Sequence, residues 1–229
     1  MRPLRFVMAG LLVVGLVVMA EAQPRFFGAG GGPGFLLQQA AVQKELKLTD
    51  EQVTKVEAWG EELRAKQIET FKEVQGLPKE QRLAKLAART TEARKAAYKE
   101  LADVLKPEQL TRLQQIERQI GGAQTFQDPD TLTALKVTDE QKAKINTALD
   151  DLLKGRQELM SSFPKDKFDQ DTLSDMVKKQ SELGKKALDN ITATLTDEQK
   201  KTWKGLTGEP FDQSKLQPFG NFGKAKAKD

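Results

Sequence analysis

Apolar residues return every third or fourth position along most of this chain, and no comparable run alternates with period two. Val53, Val56, Leu63 and Val74 fall on one face, with Gly60 and Gln67 between them. Leu83, Leu86, Thr90, Ala93, Ala97, Leu101 and Val104 step by three or four, as do Ile145, Leu149, Leu152, Leu159 and Phe163 apart from a gap at Arg156. The last long stripe is Leu173, Val177, Gln180, Gly184, Ala187, Ile191 and Leu195. The pattern predicts an all-α fold with long helices over about 50–75, 79–104, 139–162 and 169–194. Short helices are expected before each pair, at 36–46 and 131–136, and after each pair, to about 120 and 206. Gly76, Leu77 and Pro78, and likewise Phe163, Pro164 and Lys165, supply turns that fold each long pair into a hairpin. The stripes are narrow and carry polar or small residues, so these helices need partners, either each other or another chain.

One motif recurs at the expected helix starts. Leu48, Thr49 and Gln52 match Val137, Thr138 and Gln141, and match again Leu195, Thr196 and Gln199. A fourth, altered copy has Leu105, Lys106, Pro107 and Gln109. The copies pair at offsets of 89 and 90 residues, which marks an internal duplication. Each intact copy reads as a capping box: the Thr hydroxyl accepts a free backbone N–H, and the Gln three residues on reaches back to the cap's own N–H. Acidic residues in the first turn favour the positive end of the helix dipole. In the altered copy Pro107 takes the first helical position, where its missing N–H costs nothing, but Lys106 cannot cap as Thr does, so a weaker start is expected. A structural role accounts for the whole motif.

The ends differ from the middle. Arg2 and Arg5 precede an uncharged apolar run from Phe6 to Met19, and Ala20, Glu21 and Ala22 fit a small-x-small cleavage site. Residues 1–22 are therefore expected to be a signal peptide cleaved after Ala22, placing the mature chain in the periplasm or outside the cell without an integral span. Residues 23–34 read as a Gly-rich flexible leader, 35–121 as the first helical unit, 122–130 as a linker of turn formers, 131–208 as the second unit and 209–229 as a flexible basic tail.

Composition excludes more than it selects. With 31% charged and 6% aromatic residues, the central region must pack mainly through Leu, Val, Ile and Ala. No Cys or His is present, so disulfides, thiol or imidazole catalysis and Cys/His zinc sites are ruled out. Signal cleavage removes two basic residues and one acidic residue, taking the net charge from +4 to +3, a bias too weak to imply nucleic acid. Asp166, Asp169, Asp171 and Asp175 lack calcium-loop spacing and suit helix capping instead. No nucleophile elbow, phosphate-binding loop or zinc-protease motif occurs in a fitting context, and neither a cofactor nor a catalytic or metal site is expected. Arg82, Lys85 and Arg89 form a candidate basic face for client binding, against the plainer reading of a solvated helix surface. Trp59 and Trp203 are expected in the helix packing.

Leu-Thr-x-x-Gln, repeated twice per unit in a helical chain rich in Lys, Glu and Gln behind a signal peptide, resembles the Spy/CpxP family of periplasmic proteins over residues 36–207. The resemblance implies small all-helical units that pair as thin dimers and serve as ATP-independent chaperones or modulators of envelope stress signalling. The implied partners are unfolded or partly folded envelope proteins. This chain departs from the pattern by carrying two units, which suggests a monomeric pseudo-dimer in place of a homodimer. Two other roles fit the residues: a helical spacer of the envelope, and a modulator docking on one folded partner. An exposed apolar groove would favour the chaperone, and fully covered stripes would favour the spacer.

Overall fold

A computed structural model of the chain describes residues 32–78, 81, 92–163 and 169–216. The signal peptide, the leader up to 31, the basic positions Arg82, Lys85 and Arg89, and the tail from 217 lie outside the described residues. Among the described residues the fold is all-α, without a strand. In chain order the helices are α1 (Pro33–Leu37), α2 (Ala40–Glu45), α3 (Asp50–Gln75), α4 (described over 92–101), α5 (Pro107–Gly121), α6 (Pro129–Ala134), α7 (Asp139–Ser162), α8 (Gln170–Ala193) and α9 (Asp197–Thr207). A 3-10 helix, Gly122–Gln127, joins α5 to α6, and a 3-10 turn, Gln213–Lys215, follows α9.

The apolar positions gather into two cores, one in each half of the chain. The first includes Leu36, Leu37, Val42, Val56, Leu101 and Ile116. The second includes Phe126, Leu135, Ile145, Leu149, Leu152 and Ile191. The duplication offsets relate members of the two sets: Leu46 to Leu135, Val56 to Ile145, Leu101 to Ile191 and Leu105 to Leu195. Both expected tryptophans lie in this packing. Trp59 donates its indole N–H to Glu100 at 2.7 Å, and Trp203 stacks at a tilt on Phe126 with ring centroids 4.6 Å apart.

Three expected boundaries are corrected by this arrangement. The leader ends earlier than 34, because Pro33 and Gly34 are buried in α1. A methyl group on Gly34 would stand 2.5 Å from Leu63 Cδ2, so α1 approaches α3 closely there and a larger residue would make the Leu63 side chain shift. Residues 122–130 are not a linker: Ala123 and Phe126 enter the second core, and Asp128 caps α6. The tail is structured as far as 216, with Phe211 buried in the first core. The breakers at these places start and stop short packed turns and do not separate domains. The expected short helix over 36–46 is likewise divided into α1 and α2 at Gln38 and Gln39.

The halves are joined through their corresponding last helices, α5 and α9. Helix α9 ends at Thr207, leaving four carbonyls without partners inside the helix. Gly208 N–H bonds Lys204 O at 2.8 Å. The first half supplies the rest, with Gln115 on Gly205 O (3.3 Å), Arg118 on Leu206 O (3.3 Å) and Gln119 on Thr207 O (2.6 Å). Gln115 and Gly205 are corresponding positions of the duplication, so these two helices meet at a point where a residue touches its own counterpart.

Candidate functional site

The motif glutamines do more than cap. In the first half Gln52 Oε1 accepts the Thr49 N–H at 3.1 Å while the Thr49 hydroxyl accepts the Gln52 N–H at 3.2 Å. Gln52 Nε2 then reaches across to Gln109 Oε1 at 2.8 Å and to Val104 O at 2.9 Å. Gln109 reciprocates, donating to Gln52 Oε1 at 3.1 Å and to Leu46 O at 3.1 Å, while its own Oε1 accepts the Lys106 N–H at 2.8 Å. The second half repeats the arrangement. Gln141 donates to Gln199 Oε1 (2.7 Å) and Thr194 O (2.9 Å), and Gln199 donates to Gln141 Oε1 (3.0 Å) and Leu135 O (3.0 Å). Thr138 and Thr196 each complete a capping box with their own glutamine.

Each amide thus uses both N–H donors and accepts twice at its oxygen. A carboxylate has no donor, so glutamate, which serves equally well in an isolated capping box, cannot close this pair. All four copies carry glutamine, including the one that lost its threonine, and that was the signal in the sequence for the pairing. Around the pair, Leu105, Val137 and Leu195 are buried and Leu48 packs against the first core, while Pro107 is exposed at the start of α5. Lys106 has no hydroxyl to offer, and no side-chain bond caps α5 from that position.

Electrostatics concentrate where the halves meet. Arg94 on α4 grips Glu117 of α5 with Nε and Nη2 at 3.0–3.1 Å and Asp128 at the start of α6 with Nη1 at 3.1 Å. Tyr98 donates its hydroxyl to Glu117 at 2.8 Å, and Thr131 donates to Asp128 at 3.1 Å. Burial foremost, with the Glu117 charge next, raises the Tyr98 phenol well above its ordinary range. Burial, seconded by the neighbouring Arg94, lowers Arg118.

The outer part of the α7–α8 hairpin is the other distinctive surface. The second core stops at Leu152 on α7 and, on α8, at Ala187 with half-buried Leu183 packed against it, yet α7 runs on to Ser162 and α8 begins at Gln170. Leu173 and Val177 continue the stripe of Ala187 and Ile191, but they are 43% and 55% exposed, and Leu153 is 56% exposed. A groove of about 370 Å³ lies on the same hairpin, lined by Leu159, Leu183, Lys179, Glu182 and Lys186. Of the aspartates, Asp169 caps α8 by accepting the Thr172 N–H at 2.8 Å, and bonding from Thr172 lowers its carboxyl. Asp175 pairs with Lys179 at 2.8 Å. Asp166 lies outside the described residues.

Among the described residues no group of three or more acidic side chains is placed to hold a metal ion, and no helix is long and apolar enough to cross a membrane. Compared with family models, curated proteins and solved structures, the chain matches none.

Proposed function

We propose that this chain is an exported helical binding protein that shields unfolded or stressed envelope proteins without nucleotide, in the manner implied by its resemblance to the Spy/CpxP family. The observation that carries the reading is the bare outer hairpin. Leu173 and Val177 stand exposed beside Lys178 and Lys179 on the part of the hairpin that runs about 15–20 Å beyond its own core, and Leu153 beside Lys154 is exposed where that core ends. Exposed apolar side chains amid long cationic ones make weak, adaptable contacts with apolar client segments. A helical spacer would have its stripes covered, and these are open. The chain acts as a pseudo-dimer, with its second half standing where a partner chain would stand. The self-contact of Gln115 with Gly205 supports that reading.

The test is aggregation of two unrelated, chemically denatured proteins diluted with and without residues 23–229, in the absence of ATP. Suppression of both near stoichiometric ratio is expected. A triple variant, Leu153→Gln, Leu173→Gln and Val177→Gln, should keep its helicity and lose most of the effect. No suppression by the parent chain at several-fold excess defeats the proposal, and equal suppression by the variant moves the client surface elsewhere.

A further inference from the structure

The last described segment is held on the first half as a separate peptide would be held. After α9, Gly208 turns the chain at φ +63, and residues 209–216 cross to α5. Gln119 donates to Glu209 O at 2.7 Å and accepts the Phe211 N–H at 2.7 Å, while Arg112 donates to Glu209 O at 2.8 Å. Gln213 returns a bond to Gln119 O at 3.3 Å. Phe211 alone enters deeply, joining the first core to which Leu113 and Ile116 of α5 also belong, with Leu216 packed at its edge. Glu209, Pro210, Asp212 and Ser214 stay exposed. Asp212 bonds only within the turn, to Ser214 and Lys215. Main-chain recognition combined with one aromatic anchor is how a groove binds an extended segment.

We propose that residues 208–216 are a detachable latch. Arg112, Gln119 and the apolar recess for Phe211 form a peptide site on the first half, which the chain fills with its own strap and which accepts the same segment offered in trans. Gly208 is the hinge. A side chain there would meet the Gln115 amide and would be strained at positive φ, so Gly208→Ala biases the latch open. The proposal is independent of the client surface on the α7–α8 hairpin.

The test uses the full chain carrying Phe211→Ala and a fluorescent peptide of sequence 208–216, followed by anisotropy. The variant should bind the peptide saturably at one per chain. The wild-type chain should bind at least about tenfold more weakly because its site is filled, and the peptide with Phe211→Ala should not bind. Adding Gln119→Ala to the variant chain should abolish binding. If the folded variant, judged by its helical circular dichroism, ignores the peptide or binds it no better than wild type does, the strap is a fixed part of the core and the proposal fails. If Phe211→Ala does not fold, Gly208→Ala, which leaves anchor and site intact, should bind more peptide than wild type, and no gain there overturns the latch.

Discussion

Lys47 and Lys136, corresponding positions of the duplication, both hold φ near +50. Each follows a short helix as the left-handed residue of a Schellman turn. Leu48 N–H bonds Gln43 O and Lys47 N–H bonds Lys44 O, and Val137 and Lys136 repeat the pattern. The turn aims the Leu46 and Leu135 carbonyls at the paired glutamines. Lysine is strained in this region and both side chains are exposed, so Lys47→Gly and Lys136→Gly should each stabilise the protein by about 0.5–1 kcal/mol in urea denaturation. Tyr98, the only tyrosine, offers a second test. Its folded pKa lies above the ordinary value near 10, so the folded state keeps a proton that the unfolded state releases. Stability should fall as pH rises above about 10. Absorbance of the phenolate should appear only with unfolding, whereas in urea it should appear near pH 10.

At the scale of the helix, the capping boxes were legible because they are local: Thr and Gln three apart specify them. The glutamine pairs were not, because Gln52 and Gln109 stand 57 residues apart and Gln141 and Gln199 stand 58 apart. Only the tertiary fold, which sets the start of α3 beside the start of α5 and the start of α7 beside that of α9, brings them together. The short turns were misread for a related reason. Gly121, Gly122 and Pro129 break regular helices, and whether a broken stretch packs depends on residues such as Phe126 whose partners lie far along the chain. The pair makes a definite energetic claim. Gln109→Ala leaves Gln52 Nε2, the Lys106 N–H and the Leu46 carbonyl each short of a bond and should cost about 1–3 kcal/mol. A double-mutant cycle with Gln52→Ala should show coupling of roughly 1 kcal/mol or more, and the cycle on Gln141 and Gln199 should agree. Coupling near zero in both would reduce the motif to four separate caps. Restoring the missing hydroxyl with Lys106→Thr should gain about 0.5–1 kcal/mol, since the residue already has the extended φ −69, ψ 155 of a cap.

Across the whole molecule, the duplicated halves have diverged where they meet. Arg94 corresponds to Gly184 and Glu117 to Thr207, so the buried cluster that joins α4, α5 and α6 has no copy in the second half. The capping of α9 by Gln115, Arg118 and Gln119 and the insertion of Phe211 likewise run one way, with each half completing the other. Neither half has all its polar groups satisfied alone, which argues for a single cooperative unfolding unit. One tryptophan sits in each half, giving a direct readout. In Trp203→Phe the fluorescence reports on the first half and in Trp59→Phe on the second, and in an otherwise wild-type chain their urea midpoints should coincide once each is referred to circular dichroism of the same protein. Arg94→Met removes the cation that bridges Glu117 and Asp128 at the junction. It leaves Glu117 and Asp128, with side chains 10% and 16% exposed, facing each other without it. The loss should be about 2–3 kcal/mol, below the range for a fully buried pair because Arg94 is itself a quarter exposed. The first-half probe should then unfold at lower urea than the second-half probe, separating the two transitions. Midpoints that stay together after this substitution would locate the coupling in α5, α9 and the strap and leave Arg94 only a local role.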